Sequence, residues 1–205
     1  MVRIQIIRTA LDLFSQYGIK SVSMDDIARA AGISKRTLYE LFDDKEALLM
    51  EAMTYTYNQY EDFLSKLMSE NSSALDIIML ALAEHMKKPR WYSEKFFDDL
   101  NRYPKALAMM EERKKENLEK SMKLLGRGVK EGEFRSDINY EILAHLGRDH
   151  MQMMKRPVKI FSKFSISDIY STVAVIFLRG ICTDKGREKL ELYILKYKIE
   201  KDASA

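Results

Sequence analysis

Residues 21–49 read SVSMDDIARAAGISKRTLYELFDDKEALL. Ser23 stands at a helix start with Asp26 three residues on, the spacing at which a hydroxyl and a carboxylate each accept a backbone N–H. A short helix over 24–31 follows and Gly32 ends it, because glycine enters a left-handed turn without a Cβ clash. Ser34 caps a second short helix that runs through 41. Asp43 or Asp44 caps a further start, with Lys45 in its first turn. Ile27, Ala28 and Leu38 supply inward apolar contacts, and the small Ala28 and Ala31 let the two helices cross closely. Two short helices at a steep angle with glycine in the turn form a helix-turn-helix. The second helix carries Ser34, Lys35, Arg36, Thr37 and Glu40 near its N-terminus, the end that enters the major groove in this motif. Lys and Arg donate to guanine O6 and N7, and Thr touches a thymine methyl. Helix N-terminal amides and hydroxyls suit phosphates.

Upstream, Ile7, Ala10, Leu11 and Phe14 recur at helical spacing, predicting a helix over 2–17 that Gly18 terminates. Downstream the chain reads as helix throughout: 44–70, 74–88 stopped by Pro89, and 93–102 before Pro104. A long helix over 105–131 carries Glu111, Lys115, Glu116, Lys120, Glu119 and Lys123 on a solvated face and ends at Gly132. Helices over 139–156, stopped by Pro157, over 166–183, capped by Ser165 with Asp168, and over 186–201 complete the chain; 158–164 reads as a connector. Eight Gly and three Pro in 205 residues suit long helices and disfavour a turn-rich sandwich or barrel. The fold class expected is all-α: an N-terminal three-helix domain with the helix-turn-helix over 1–47, and a larger helical domain over 48–205.

Thirty-four Lys and Arg against 31 Asp and Glu give a net charge of +3. That excludes a polybasic tail and an acidic solvating chain, but leaves room for a local basic patch. Residues 1–47 hold seven Lys and Arg (3, 8, 20, 29, 35, 36, 45) and seven Asp and Glu (12, 25, 26, 40, 43, 44, 46), a neutral total. The hydrophobic share of 46% suffices for a sizeable core. The single Cys182 excludes an internal disulfide framework and reads as a small buried hydrophobe. The longest apolar run, 77–83, is far below the roughly 20 residues of a membrane span, and the N-terminus lacks a secretory signal. A cytoplasmic location is expected. Of the lone histidines His85, His145 and His150, the last two are five apart and do not share a helix face as i,i+4 metal ligands would, and no GxSxG, HExxH or phosphate-cradling glycine loop appears. No metal, cofactor or enzymatic activity is expected.

The segment closely resembles the DNA-binding domain of TetR-family transcriptional regulators. The matching residues are Ala10, Phe14, Gly18, Ser23, Ile27, Ala28, Ala31, Gly32, Ile33, Ser34, Thr37, Leu38, Tyr39, Phe42, Lys45 and Leu48, about the first quarter of the chain. Beyond it the resemblance is one of helical layout and short pieces, such as Gly132-Glu133-Phe134-Arg135 and Leu178-Arg179-Gly180-Ile181. The resemblance implies base reading by Lys35, Arg36 and Thr37. It implies phosphate contacts from Tyr39 and Lys45, and backbone contacts from Ser23 and Ser34. Asp25 occupies a position where some relatives place a base-contacting residue.

It further implies a homodimer on a palindromic double-stranded DNA operator, joined through the eighth and ninth helices. Leu143, Leu146, Met153 and Met154 give the eighth helix a broad apolar surface, and Ile169, Val173, Ile176, Phe177 and Gly180 do the same for the ninth. A small-molecule effector, apolar or aromatic, is expected between the fourth and eighth helices. Candidate walls are Tyr57, Met86, Trp91, Phe96, Phe97, Met110, Met122, His150 and Met154. The chain then reads as a repressor released from DNA by that ligand. The alternative is a TetR-like protein controlled by a protein partner.

Overall fold

The computed structural model describes residues 2–70, 72–87, 93–153 and 163–202, with side chains except at 85–87, 94, 147–153, 166–167 and 197–202. Among the described residues the regular structure is helical. The helices are α1 (Val2–Tyr17), α2 (Met24–Ala30), α3 (Lys35–Leu41), α4 (Lys45–Ser69), α5 (Ala74–Lys87), α6 (Glu94–Leu100), α7 (Pro104–Lys130), α8 (Tyr140–Met153), α9 (Ile166–Ile181) and α10 (Asp184–Asp202). One isolated antiparallel bridge pairs Phe134 with Cys182. The chain is all-α, as expected, and its helix starts follow the serines. Ser23, Ser34, Ser93 and Ser165 each accept the backbone N–H three residues on, which satisfies one of the donors a helix start leaves open. The expected connector over 158–164 lies almost wholly outside the described residues.

By packing, the chain forms two compact units: Met1–Phe63 with Arg90–Glu116, and Leu64–Pro89 with Asn117–Ala205. Helices α4 and α7 supply residues to both. The first unit grows from the apolar stripe of α1. Ile6, Ile7, Ala10, Leu11 and Phe14 are buried there, against Ile27 and Ala28 of α2, Leu38 of α3, and Leu48, Leu49 and Ala52 of α4. Phe96 and Leu100 of α6 and Ala106 of α7 belong to the same cluster. Each fully buried large side chain contributes about 1.5–3 kcal/mol, so this shared core decides where the short helices sit. Gly18 ends α1 at φ 84, and its N–H donates to the Phe14 carbonyl at 3.0 Å. A Cβ there would lie 2.9 Å from both Asp99 Oδ2 and the Lys95 Cβ. The position therefore needs glycine twice over, for its dihedral and for the approach of α6.

The second unit packs Ala74, Leu75, Met79 and Leu82 of α5 against Phe134, Leu178, Ile181, Cys182 and Leu190. A polar clasp fixes the start of α5. Glu133, 4% exposed, accepts the Leu75 N–H at Oε2 (3.0 Å) and faces Lys189 Nζ at Oε1 (3.1 Å). Lys189 also donates to Asp76 Oδ2 and to Ser73 Oγ, each at 2.7 Å, and the Tyr193 hydroxyl donates to Asp76 Oδ1 at 2.7 Å. Burial alone pushes both carboxyls up. The Leu75, Ser73 and Lys189 bonds to Glu133, and the Lys189, Tyr193 and Ser73 bonds to Asp76, outweigh it and hold both below the usual carboxylate range. Burial likewise lowers Lys189, yet its two carboxylate partners leave it raised. Two carboxylates at a helix N-terminus also complement the helix dipole.

Candidate nucleic-acid interface

The helix-turn-helix is held from beneath by apolar contacts and at its ends by caps. Ser23 and Asp26 close a full capping box: Asp26 N–H donates to Ser23 Oγ at 3.1 Å, and Ser23 N–H donates to Asp26 Oδ2 at 3.0 Å. Gly32 takes φ 68 in the turn, and the Ile33 N–H returns to the Ala28 carbonyl at 3.0 Å. The Gln5 side chain of α1 donates to the Ala31 carbonyl at 3.1 Å, tying the turn to the first helix. Ser34 Oγ accepts the Thr37 N–H at 3.0 Å and lies 2.8 Å from Thr37 Oγ1. Leu38, fully buried, anchors α3 to the core.

This anchoring leaves one face of α3 outward. Lys35, Arg36, Tyr39 and Glu40 are exposed, and Thr37 is half-buried. The exposed cations are already engaged within the chain. Lys35 Nζ meets both oxygens of Asp25, at 2.8 and 3.0 Å, and sits 6.0 Å from the Tyr39 ring centre. Its hydrogen bond and charge pairing with Asp25 raise Lys35 above the ordinary lysine value. Arg36 donates through Nε to Glu40 Oε1 at 2.9 Å, one helical turn on. The Arg36–Glu40 pair is legible in the sequence from its i,i+4 spacing. The Lys35–Asp25 pair spans the turn and had no local signal.

Lys45 stands in the first turn of α4, where Asp44 caps the helix by accepting the Ala47 N–H at 2.8 Å. Its ammonium donates to the carbonyls of Ile19 and Val22, each at 2.9 Å. Burial lowers Lys45 below the ordinary lysine value, with Asp99 partly offsetting the shift. Lys45 is thus a strut under the α1–α2 turn. Sequence spacing gives no hint of this, since the carbonyls lie 26 and 23 residues upstream. The same turn is gripped from α6: Lys20 N–H donates to Asp99 Oδ2 at 2.7 Å, and Ser93 N–H donates to the Ser15 carbonyl at 2.9 Å. No local spacing in the sequence links Lys20 to Asp99, which lie 79 residues apart.

The expected effector residues fall in different places. Phe96 is 2% exposed and belongs to the core beneath the helix-turn-helix. Phe97 and Met110 are partly buried against that core. Tyr57 of α4 is half-buried, with the Arg113 guanidinium 4.2 Å from its ring centre and Glu116 Oε2 3.3 Å from its hydroxyl. Met122 is half-buried in the second unit. Trp91 and Met154, and the side chains of Met86 and His150, lie outside the described residues. Among the apolar residues expected at a dimer interface, Leu146 of α8 and Ile176 of α9 are 53% and 64% exposed. Ile142 of α8 is 58% exposed, while Leu143 turns partly into the core of the second unit. Among the described residues, no group of three His, Cys, Asp or Glu could hold a metal ion, and no helix is long and apolar enough to cross a membrane.

Residues 6–52 match the model of the family described as bacterial regulatory proteins, tetR family. The HTH-type transcriptional repressor KstR2 of Mycolicibacterium smegmatis is 24% identical over 193 residues, covering 90% of this chain and 92% of that protein. The solved structure of the ketosteroid transcriptional regulator KstR2 of Mycobacterium tuberculosis matches with a TM-score of 0.65 at 20% identity, covering 90% of this chain and 96% of that one. A gamma-butyrolactone receptor described as ArpA-like matches with a TM-score of 0.70 at 19% identity, covering 97% of this chain and 96% of that one. The family match falls on α1 to the start of α4, the helices that build and brace the helix-turn-helix. Residues 6–52 are thus a tetR-family segment, and along most of its length the chain is similar to KstR2 repressors and shares the fold of their solved structure.

Proposed function

We propose that this protein is a repressor that binds a palindromic operator as a homodimer and leaves it when a small apolar or aromatic molecule binds. The observation that carries the reading is the outward face of α3. Lys35, Arg36, Thr37 and Tyr39 stand on a capped helix whose Leu38 is fully buried, so their placement is fixed by the core. Lys35, Arg36 and Thr37 read base edges; Tyr39, the third ammonium hydrogen of Lys45, and Ser23 and Ser34 meet the backbone. The functional division falls at residue 47, with 1–47 contacting DNA and 48–205 serving the ligand and the dimer. Exposed Ile142 and Leu146 on α8 and Ile176 on α9 support a dimer through those helices, where each subunit contributes two helices to a four-helix bundle. Relatives named for a ketosteroid and a gamma-butyrolactone support an apolar effector. Tyr57, Phe97 and Met110 are its candidate contacts among the described side chains of the first unit.

The mechanism is linkage. The ligand favours a conformer whose two recognition helices no longer match successive major grooves, roughly 34–36 Å apart. It then lowers operator affinity, and operator lowers ligand affinity, by the same factor. The test selects an operator from random duplexes with the full chain, then titrates steroid, fatty-acid and butyrolactone probes against the complex. Quenching or enhancement of Trp91, the chain's single tryptophan, reports binding. The expected result is a loss of operator affinity of roughly 5–150-fold with the active probe. An operator complex that none of a broad hydrophobic panel weakens, with no change in Trp91 emission, overturns ligand control.

A further inference from the structure

The two neighbouring cations of α3 are presented in different ways. Lys35 is pinned: its ammonium sits between both oxygens of Asp25, and Tyr39 lies beside it. Arg36 is held only at its elbow. Nε donates to Glu40 Oε1 at 2.9 Å, and among the described residues the terminal Nη1 and Nη2 have no protein partner. The Arg36 side chain is 89% exposed. A guanidinium fixed through Nε still offers its two outer nitrogens as a fork, the geometry that matches guanine O6 and N7. A free arginine loses much rotamer freedom when it docks. A partner one turn along the same helix removes part of that loss before DNA arrives.

We propose that Arg36 is the principal guanine reader of this protein and that Glu40 is its positioning residue, holding Nε so that Nη1 and Nη2 face a base edge. This rests on the reading of α3 as the recognition helix. Glu40 itself stays off the DNA. Its carboxylate repels phosphate, so it discourages the same arginine from settling on the backbone. At the interface, where water is displaced, the Arg36–Glu40 pair strengthens and holds the fork while it reads. Lys35, still paired with Asp25, adds less discrimination than its neighbour.

The test uses the full chain and an operator selected from random duplexes. Each operator base pair is then varied for wild type, Lys35→Ala, Arg36→Ala, Thr37→Ala, Glu40→Ala and Glu40→Gln, and binding to an unrelated duplex is measured alongside. In wild type, at least one G·C position should cost roughly 5–100-fold when changed, and Arg36→Ala should erase the preference there. Glu40→Ala should weaken discrimination at that same position by roughly two- to five-fold while binding the unrelated duplex as well as or better than wild type. Glu40→Gln, which keeps an oxygen to accept the Nε–H, should retain most of the discrimination. Glu40 is exposed and alanine is a strong helix former, so both variants should fold. Equal gains on all duplexes from Ala and Gln alike overturn the proposal, because the effect is then bulk charge. So does a loss of discrimination spread evenly over the operator, which is disturbance of α3. If Arg36→Ala, Lys35→Ala and Thr37→Ala all keep wild-type preferences, the reading of α3 itself has failed; if only the Glu40 variants do, the positioning role alone has.

Discussion

Replacing Lys45 with Met separates a strut from a surface phosphate ligand. Met keeps the apolar stem and opens no cavity, but removes two charge-assisted hydrogen bonds of 2.9 Å to the carbonyls of Ile19 and Val22. Ile19 is fully buried and Val22 is 4% exposed, so their carbonyls are not freely rehydrated. A hydrogen bond to a charged group contributes about 1.5–3 kcal/mol. Releasing the partly buried ammonium returns some of that energy, and water recovers part of one carbonyl at the turn. The expected net loss is about 1–3 kcal/mol. For a chain of this size, 2 kcal/mol corresponds to a drop in Tm of roughly 4–8 °C. Urea unfolding followed by circular dichroism at fixed salt reads the loss directly. Lys45→Arg should fall between wild type and Met, because the planar guanidinium replaces a compact ammonium poorly in this pocket of carbonyls. A residue that merely reaches for phosphate from the surface changes stability by no more than about 0.5 kcal/mol. A Lys45→Met protein within that margin of wild type refutes the strut.

Other substitutions probe other joints. Glu133→Ala should cost about 2–4 kcal/mol, since it strands the buried Leu75 N–H and leaves Lys189 with one carboxylate instead of two; a loss below about 0.5 kcal/mol refutes the clasp. Because Glu133 and Asp76 titrate below their unfolded values, their contribution is complete above about pH 4.5 and disappears as pH falls through their lowered native values. The raised Lys189 contributes fully below its unfolded value of about 10.5 and loses that contribution as pH rises past its native one, so urea midpoints should peak between the two ranges. Burial, and secondarily Glu133, pushes the Cys182 thiol up to about 11, so a colourimetric disulfide reagent at pH 8 should react only on unfolding; prompt reaction of native protein contradicts this. Gly18→Ala should lose at least about 2 kcal/mol from the left-handed dihedral and the Asp99 contact, and near-wild-type melting counts against the tight α1–α6 joint. Ile176→Glu should yield monomers and lose operator binding together, and sedimentation showing a monomeric wild type removes the dimer proposal.

Local chemistry made much of this fold legible. The serine caps, the glycine stops and the apolar stripe of α1 each involve residues within a few positions of one another. Periodicity and capping rules act over that range. What sequence could not reveal are contacts made by folding itself. Lys189 meets Asp76 across 113 positions, and Lys20 meets Asp99 across 79. Phe96 is marked in the sequence as an aromatic between prolines; its place in the core of the first unit depends on packing that no local spacing reveals, since a ring that large contributes most where nothing else fills the space. Position in the motif marks Lys45, while its carbonyl partners depend on how α1 turns into α2. The outward residues of α3 were the easiest to recognise, because exposure there follows directly from the burial of Leu38.

The grip of α6 on α1 has a consequence in time as well as in space. Phe96 and Leu100 share one apolar cluster with Phe14 and Leu38, and the Lys20 and Ser93 amides bridge the joint. Elements that share a core open together, as one cooperative unit. The Lys20 amide should therefore exchange its hydrogen with solvent no faster than the unit as a whole unfolds, and α6 should not fray ahead of α3. A displacement imposed on α6 then travels as movement of an intact body, complete within the microseconds to milliseconds of such motions, and needs no local melting to reach α3.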